Sequence, residues 1–162
     1  MEGDTNAKRL EEGLRIGVVL TAAEMEDALS VRCAVFIEEQ GVTEAEEIDA
    51  YDGDPERVTG AVHVVAYVGG RPAGTGRLLL DAPPGENAHI GRVAVLQEHR
   101  GRGFGRMLML TLQEEAERRG YPGITVAAQL RAIPFYERLG YRARGDVFLD
   151  AGIEHRRMDL SL

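Results

Sequence analysis

The sequence predicts a single α/β (α+β) domain in which helices flank one mixed β-sheet of about seven strands. Three observations lead to this fold class. A chain of 162 residues has the usual length of one domain. Its hydrophobic patterning gives the element order β-α-β-β-β-α-β-α-β-β without an internal repeat. Twenty glycines among 162 residues, about 12% against a usual share of about 7%, mark particular turns and not a low-complexity linker.

The first elements follow a polar N-terminal segment. Residues 1–13 are polar and aperiodic, so we expect a flexible tail ahead of a domain that spans residues 14–162. A β-branched run predicts a first strand at Leu14–Leu20. A threonine followed three residues later by a glutamate then has the spacing of a capping box. Apolar residues recur behind it at helical intervals, which predicts a helix at Ala22–Phe36.

The next part of the chain combines a long loop with a hairpin. Cys33 falls on the apolar stripe of the predicted helix, and we interpret it as a buried small hydrophobe. Gly41–Gly60 is acidic and poor in core residues, which predicts a long surface segment of the kind that is often functional. Two apolar runs on either side of Gly69-Gly70 predict a hairpin of strands Ala61–Val68 and Ala73–Leu80.

The second half of the chain alternates strands and helices and ends in another hairpin. Phe104 begins a series of apolar residues with a step of four, which predicts a helix that Gly120 and Pro122 end. A glycine ends a second, short helix, and Ala151-Gly152 joins the last two strands. The predicted elements besides the helix from Phe104 are strand Ile90–Leu96, strand Ile124–Ala128, helix Ala132–Leu139, and strands Tyr141–Leu149 and Glu154–Leu160.

Charge and composition exclude several classes of protein. Nineteen basic and 27 acidic residues give a net charge of −8, which argues against a general binder of nucleic acid or of acidic membranes. No apolar run reaches the roughly 18 residues of a membrane span, and the polar start is unlike a signal peptide. The single cysteine excludes an intramolecular disulfide framework, and the histidines lack metal-ligand spacing, so we expect no metal. We expect a soluble, cytoplasmic protein.

A glycine- and arginine-rich turn at residues 100–106 carries most of the functional information. A turn of this kind at the start of a helix presents unpaired backbone N–H groups at the positive end of the helix dipole. Such a site binds anions, most commonly phosphate, and three arginines add positive charge. A solvated turn whose glycines serve only as caps is the alternative. The spacing fits neither the dinucleotide fingerprint nor the P-loop, which disfavours a nucleotide-binding interaction protein.

Four motifs resemble those of one superfamily. Arg100, Gly103 and Gly105 fit the pattern Arg-x-x-Gly-x-Gly between a strand and a helix, and Ala132–Tyr141 carries alanine, then Phe-Tyr, then glycine and an aromatic residue. Both patterns are similar to signatures of the GNAT superfamily of N-acetyltransferases. Two further stretches resemble its narrower ElaA-like branch, and the likeness covers about residues 14–160. These stretches are Arg32–Gln40 with Glu47-Ile48-Asp49, and Asp150–His155.

The resemblance implies that acetyl-CoA binds in a cleft where the strand Ile90–Leu96 separates from the strand Ile124–Ala128. Backbone groups of Val93 and Val95 would pair with the pantetheine arm as an added strand does. The amides of the glycine-rich turn would hold the pyrophosphate, and a glutamine stands where many members have asparagine. The residues that the resemblance places at the cofactor are Val93, Ala94, Val95, Arg100, Gly101, Arg102, Gly103, Phe104, Gly105, Arg106, Gln129 and Phe135.

Acetyl transfer to an amine also needs an acid and a base. Tyr136 matches the family residue that protonates the departing CoA sulfur, and a tyrosine that only packs is the alternative. Glu39 and His155 are candidates for the general base or for binding the acceptor, against a solvated carboxylate and a histidine that only forms a hydrogen bond. Arg32 is expected to be structural or to position the acceptor, without touching the cofactor phosphates.

The predicted activity is acetyl-CoA-dependent transfer of an acetyl group to a primary amine of a small molecule or a peptide. A non-catalytic acyl-CoA-binding module is the competing hypothesis. The predicted partners are acetyl-CoA and the amine acceptor, with no nucleic acid and no membrane, and a homodimer is left open.

Overall fold

The computed structural model describes residues 13–162, which form one β-sheet with helices on both faces. Residues 1–12 of the predicted tail lie outside the described residues. The strands are β1 Leu14–Val18, β2 Ala61–Val68, β3 Arg71–Leu79, β4 Ala88–Val95, β5 Gly123–Gln129, β6 Arg142–Asp150 and β7 Ile153–Ser161. The helices are α1 Ala22–Arg32, a π-helix Cys33–Glu39, α2 Glu44–Glu47, α3 Phe104–Arg118 and α4 Ile133–Arg138, with 3₁₀ turns at Gln97–His99 and Leu130–Ala132.

The predicted order of strands and long helices is confirmed, and so is the mixed seven-stranded sheet. The strand order is β1-β2-β3-β4-β5-β7-β6, and the neighbours are antiparallel except β4 and β5, which are parallel. Both predicted hairpins are present at the predicted two-residue turns.

The segment Gly41–Gly60 differs from its prediction. It contains the short helix α2, and two of its acidic residues, Glu47 and Asp52, are buried. The interpretation of the whole segment as a surface loop is wrong at these residues. Their carboxylates pair with buried arginines, so that charged residues of the segment become part of the interior.

The first helix also differs from a simple α-helix. Its predicted capping box is confirmed, because Thr21 Oγ1 accepts from the Glu24 amide at 3.1 Å and the Glu24 carboxylate accepts from the Thr21 amide at 3.2 Å. After Arg32 the helix widens into the π-helix, where the Gln40 amide donates to the Val35 carbonyl at 3.2 Å. π-Helical turns are rare and are frequent at functional sites.

The buried face of this helix agrees only in part with the predicted apolar stripe. Of the stripe, Met25 is buried, whereas Leu29, Cys33 and Phe36 are half-buried, so the interpretation of Cys33 as a buried hydrophobe is wrong. The pattern was misleading because the charged residue Arg32, 1% exposed, is part of the buried face.

Helix α3 confirms the predicted apolar step of four. Phe104, Leu108, Leu112 and Ala116 are all buried against the sheet. Helix α1 covers the other face, since Val64 of β2 packs in the cluster of α3 while its neighbour Val65 packs with α1 residues. Side chains that alternate along a strand point to opposite faces, so β2 is buried on both sides.

The separation of β4 from β5 is the feature that shapes the functional site. The two strands pair only from Ala88↔Ile124 to Ile90↔Val126. Beyond this point β5 continues along β7 as far as Gln129↔His155, while β4 continues along β3. The sheet therefore opens into a cleft between two of its own strands.

A bulge in β4 lies where this opening begins. Thr75 of β3 pairs with Ala94 and Arg77 pairs with Gly91, so Gly76 alone faces the two residues Arg92 and Val93. A bulge increases the local twist and redirects the strand, and bulges of this kind are frequent beside active sites.

Among the helices of residues 13–162, none is long and apolar enough to cross a membrane.

A glycine at the start of β5 provides a test of this sheet packing. A Cβ at Gly123 would lie 2.6 Å from the Leu160 carbonyl oxygen of β7, whereas a Cβ at Gly17 of β1 would meet nothing within 4 Å. We expect Gly123→Ala to lower the free energy of unfolding by about 1–3 kcal/mol. Gly17→Ala should leave it unchanged or raise it slightly. Urea unfolding of both variants measures the difference, and equal stabilities would contradict this register of β5 on β7.

Candidate active site

The separated strands enclose a cleft of about 510 Å³. Its lining combines the exposed backbone of β4 after the bulge, apolar side chains of the π-helix, and polar side chains from β5, α4 and β7. The residues that matter for the chemistry are Val93, Ala94, Val95, Gln129, Tyr136 and His155. Sequence reasoning selected all six, and the structure brings them together in one cleft.

The segment Val93–Val95 leaves one edge of its backbone open. On one side Ala94 and Val95 pair with β3. On the other side β5 has already separated, so no strand of residues 13–162 pairs with this side of β4 beyond Ile90. An open strand edge presents N–H and C=O groups to which an extended, amide-containing chain can add.

A second cavity, of about 480 Å³, adjoins the first and shares Val95 and Arg100 with it. The glycine-rich turn forms its floor. Gly101 and Gly103 have φ values of +78° and +85°, which side-chain-bearing residues rarely adopt. Helix α3 then begins at Phe104, so its first amides point into the turn without helical partners.

The third glycine of the motif has a packing role. A Cβ at Gly105 would lie 3.3 Å from the Phe135 ring, so this glycine allows α4 to approach the start of α3. Phe135 in turn packs edge-to-face on Tyr136, with ring centroids 5.0 Å apart. The glycine-rich turn and the candidate acid are therefore joined through the ring of Phe135.

Arg100 already has two partners. Its Nε donates to the Val95 carbonyl at 3.0 Å, and its Nη2 pairs with the Glu39 carboxylate at 2.8 Å. The guanidinium thus joins the end of β4 to the end of the π-helix. Glu39, a candidate base, is held in this ion pair and is not among the residues that line the cleft.

Tyr136 is 9% exposed and lies on α4, against the rings of Phe135 and Tyr141. Burial raises the pKa of its phenol to about 12. Within residues 13–162 its hydroxyl forms no hydrogen bond, whereas the neighbouring Tyr141 hydroxyl donates to Gln113 Oε1 at 3.0 Å. Tyr136 therefore offers the cleft a proton donor that the fold does not otherwise use.

His155 lies on β7 directly opposite Gln129 of β5. Its Nδ1 is 2.7 Å from the Ile153 carbonyl, and because a carbonyl only accepts, this nitrogen carries the hydrogen in the neutral ring. Its Nε2 is then the basic nitrogen. The ring is buried and stacked on Phe148, with centroids 5.8 Å apart.

Gln129 is engaged at both ends of its amide. Its Nε2 donates to Gln40 Oε1 at 2.9 Å, and its Oε1 accepts from Arg131 Nε at 3.1 Å. The bond to Gln40 joins the π-helix to β5 and so crosses between the two walls of the cleft. Sequence reasoning identified Gln129 but missed both partners. Gln40 is 89 positions away in sequence, and no pattern shows that Arg131, two residues further on, bonds to the Gln129 amide.

Sequence reasoning also missed a buried cluster of ion pairs behind the cleft. Arg32 is 1% exposed and binds Glu47 at 3.0 Å and Asp52 at 2.6 Å. Arg77 of β3 binds Asp52 at 3.0 Å and Asp49 at 2.7 Å. Arg32 is therefore structural, and Glu47 and Asp49 are bound to arginines and not directed at a reacting amine. The acidic motif Glu47-Ile48-Asp49 was the sequence signal for this cluster, but the sequence alone did not show which arginines its carboxylates bind.

Comparison with known proteins places this arrangement in a family. The family model described as "Acetyltransferase (GNAT) domain" matches residues 35–162. The uncharacterised N-acetyltransferase YjcF of Bacillus subtilis is 38% identical over 136 residues, which cover 83% of this chain and 91% of that protein. The chain belongs to the GNAT acetyltransferase family. It is therefore an acyltransferase that uses acyl-CoA as the donor.

Solved structures agree with this assignment. Escherichia coli ElaA superposes with a TM-score of 0.76 at 25% identity, over 90% of this chain and 98% of ElaA. An acyl-CoA N-acyltransferase from Pseudomonas aeruginosa gives a TM-score of 0.74 at 29% identity, over the same shares of the two chains. Both the GNAT fold and the ElaA-like branch that the sequence motifs indicated are confirmed. In the described part of the chain, no group of three or more His, Cys, Asp or Glu side chains could hold a metal ion.

The glycine-rich turn generates a prediction with a matched control. Gly103 and Gly120 have nearly equal φ values, +85° and +82°, and a Cβ at either would meet nothing within 4 Å. Alanine at either site should therefore cost the same backbone strain, about 1–2 kcal/mol. Only at Gly103 would the methyl group stand where the pyrophosphate approaches the amides. We expect Gly103→Ala to weaken CoA binding by roughly tenfold or more, about 1.4 kcal/mol, and Gly120→Ala to leave it unchanged.

Isothermal titration calorimetry with CoA measures the dissociation constants of both variants, whose stabilities we expect to be equal. A Gly103→Ala protein that binds CoA as tightly as Gly120→Ala would mean that the phosphates bind elsewhere.

Proposed function

We propose that the protein is an N-acetyltransferase that transfers the acetyl group of acetyl-CoA directly to a primary amine of a small molecule or a peptide. One observation carries this proposal. The open edge of β4, the free hydroxyl of Tyr136 and the basic nitrogen of His155 all belong to one cleft, and this cleft adjoins the anion-binding turn.

The donor half of the site supports this role as follows. The pantetheine arm adds to the open edge of Val93–Val95, and the first amides of α3 hold the pyrophosphate. The acetyl carbonyl then lies beside the bulge, where a backbone N–H of Val93 or Val95 donates to the oxygen as it becomes negative. Fixed donors of this kind stabilise the transition state strongly because they need no reorganisation.

The transfer itself needs one proton acceptor and one proton donor. The lone pair of the neutral amine attacks the thioester carbon, a C–N bond forms, and the C–S bond breaks with its electron pair on sulfur. His155 Nε2 first takes the extra proton of the ammonium form, because an alkyl amine with a pKa of about 10.4 is protonated at neutral pH. The second proton, which the nitrogen loses once the C–N bond has formed, passes to solvent. Glu39 is the weaker candidate, since Arg100 already holds its carboxylate. The products are the acetamide and CoA.

Tyr136 serves the leaving sulfur. Its pKa of about 12 lies above the usual value of about 8.5 for a thiol, so complete transfer of its proton to the thiolate is unfavourable. We therefore expect the phenol to stabilise the sulfur by a hydrogen bond while negative charge develops. Solvent then supplies the proton of the free thiol after product release.

The experiment that tests the function is direct. The protein is incubated with acetyl-CoA and a panel of primary amines, and free thiol is followed together with mass spectrometry of the amines. Amine-dependent thiol release with an added acetyl group supports the proposal. Tight CoA binding by calorimetry without thiol release for any amine would favour a binding module.

The role of Tyr136 can be separated from packing by a pair of variants. We expect Tyr136→Phe to reduce kcat by roughly 10²–10⁴-fold without loss of stability, because its hydroxyl has no partner within residues 13–162. Tyr141→Phe is the control: it should lose about 1 kcal/mol of stability with its bond to Gln113, while kcat stays unchanged. Rates are measured at mildly alkaline pH, where more of the amine is free and departure of sulfur limits turnover. Equal kcat values for the two variants would assign Tyr136 to packing.

The choice of base can be tested by the pH profile of kcat/KM. We expect His155→Gln to be slow at neutral pH and to regain activity as the pH approaches about 10.4, where the amine loses its proton to solvent. Glu39→Gln should keep the profile of the wild type. If only Glu39→Gln were slow at neutral pH and regained activity as the pH approached about 10.4, Glu39 would be the base.

A further inference from the structure

The bulge residue Arg92 has a backbone conformation that needs support. Arg92 and Ala151 are the non-glycine residues with positive φ among residues 13–162, at +54° and +51°. Ala151 lies in a hairpin turn that requires this conformation, but Arg92 lies within strand β4. A side-chain-bearing residue in this region is strained and persists only where its surroundings impose it.

The guanidinium of Arg92 is held by helix α2. Its Nε lies 3.0 Å from Glu47 Oε2 and 3.3 Å from the Glu47 carbonyl oxygen, and its Nη2 lies 3.4 Å from the Glu46 carbonyl oxygen. The Asp49 carboxylate lies further away, at 3.6 Å. Glu47 thus contacts the bulge residue through both its side chain and its backbone.

Glu47 is itself fixed from the side away from the cleft. The oxygen that faces Arg92 also accepts from Arg32 Nε at 3.0 Å, and the Glu47 side chain is only 4% exposed. Arg32 is in turn held by Asp52, which also binds Arg77 on β3. The carboxylate therefore has one well-defined position, set by α1 and the sheet together.

We propose that Glu47 is a positioning residue for acyl transfer, which holds Arg92 in the bulge and so sets the direction of the β4 backbone that receives the thioester. The proposal rests on the proposed function, because the thioester carbonyl has to bind at Val93–Val95. Arg92 immediately precedes this segment. An error of about 1 Å in the position of a reacting group can reduce the rate by about a hundredfold.

This role predicts different effects of Glu47 on the binding of two parts of the donor, the CoA moiety and the acetyl group. CoA without its acetyl group shares the pantetheine contacts to Val93–Val95, but it also keeps its phosphate contacts with the glycine-rich turn, which Glu47 does not line. The acetyl carbonyl depends on the N–H direction just after the bulge. Loss of Glu47 should therefore weaken the recognition of acetyl-CoA relative to CoA, and should lower kcat more than it raises KM.

The first experiment replaces Glu47 by glutamine, which keeps the shape and removes the charge. We expect Glu47→Gln to lower kcat by roughly 10- to 100-fold. The ratio of acetyl-CoA to CoA affinity should fall by roughly 2- to 12-fold, the worth of one hydrogen bond. Glu115→Gln is the control, because Glu115 is also buried and also pairs with two arginines, Arg118 and Arg119, but lies outside the cleft on α3. It should lose stability with no change in kcat or in the affinity ratio.

A second pair of variants tests the backbone directly and does not depend on the folding of Glu47→Gln. Arg92→Gly can adopt a φ of +54° without an anchor, whereas Arg92→Ala cannot do so without strain. We expect Arg92→Gly to keep several-fold more kcat than Arg92→Ala. In the Arg92→Gly background, Glu47→Gln should add little further loss of kcat, because the anchor no longer has anything to hold.

The outcomes distinguish a failure of the positioning role from a failure of the proposed function. The ratio of acetyl-CoA to CoA affinity needs no amine, so it tests Glu47 even if no acceptor is found and the proposed function fails. Unchanged kcat and affinity ratio in Glu47→Gln would overturn the positioning role. Equal kcat values for Arg92→Gly and Arg92→Ala would overturn it as well.

Discussion

The structure depends on two strand pairings, β4 with β3 and β5 with β7, that draw β4 and β5 apart in the middle of the sheet. β5 stays paired with β7 for its whole length, while β4 stays paired with β3 only by taking up an extra residue in a bulge. The short parallel contact of three residue pairs cannot hold β4 and β5 together beyond that point. Backbone groups buried without partners are costly, so a sheet that separates in its middle needs either water or a ligand there. In the proposed function the amides of the acyl-CoA arm meet that need, so that binding of the donor would complete the sheet.

The buried ion pairs have a structural reason of the same kind. Charges inside a protein lose their hydration, and a well-packed apolar cluster is often as stable as a buried ion pair. Apolar packing has no directional preference, however, whereas a guanidinium between two carboxylates has a fixed geometry. Arg32 and Arg77 join α1, β3 and the segment that contains α2 through such contacts. The position of the cleft wall is therefore fixed by directional ion pairs as well as by apolar burial.

Local signals made most of the fold predictable, and the resemblance of four motifs selected residues that meet in the candidate cleft. The capping box at Thr21, the step of four from Phe104 and the glycine turns each act within a few residues, and the structure confirms them. Sequence reasoning failed where a residue's role is set by a distant partner. Arg32 interrupts the apolar face of α1 because Glu47 and Asp52 lie 15 and 20 residues further along the chain. The widening of the helix at Cys33 had no pattern of its own, since spacing of apolar residues does not distinguish α- from π-helical bonding.

The hydrogen bond between Gln40 and Gln129 has a consequence for how fast the cleft can fill. It is the one side-chain hydrogen bond that links residues 33–52 to residues 123–161 within the described chain, and it spans 89 positions of sequence. A ligand that uses the Gln129 amide exchanges this bond, or the one from Arg131, for its own. The number of hydrogen bonds then stays nearly constant, so the exchange adds little to affinity at equilibrium. It does add a barrier, because the old bond must break before the new one forms. Where CoA uses the Gln129 amide, as the family resemblance implies, the pair of glutamines would act on the rate of association, and two proteins that differ only in this contact would bind CoA equally tightly and at very different speeds.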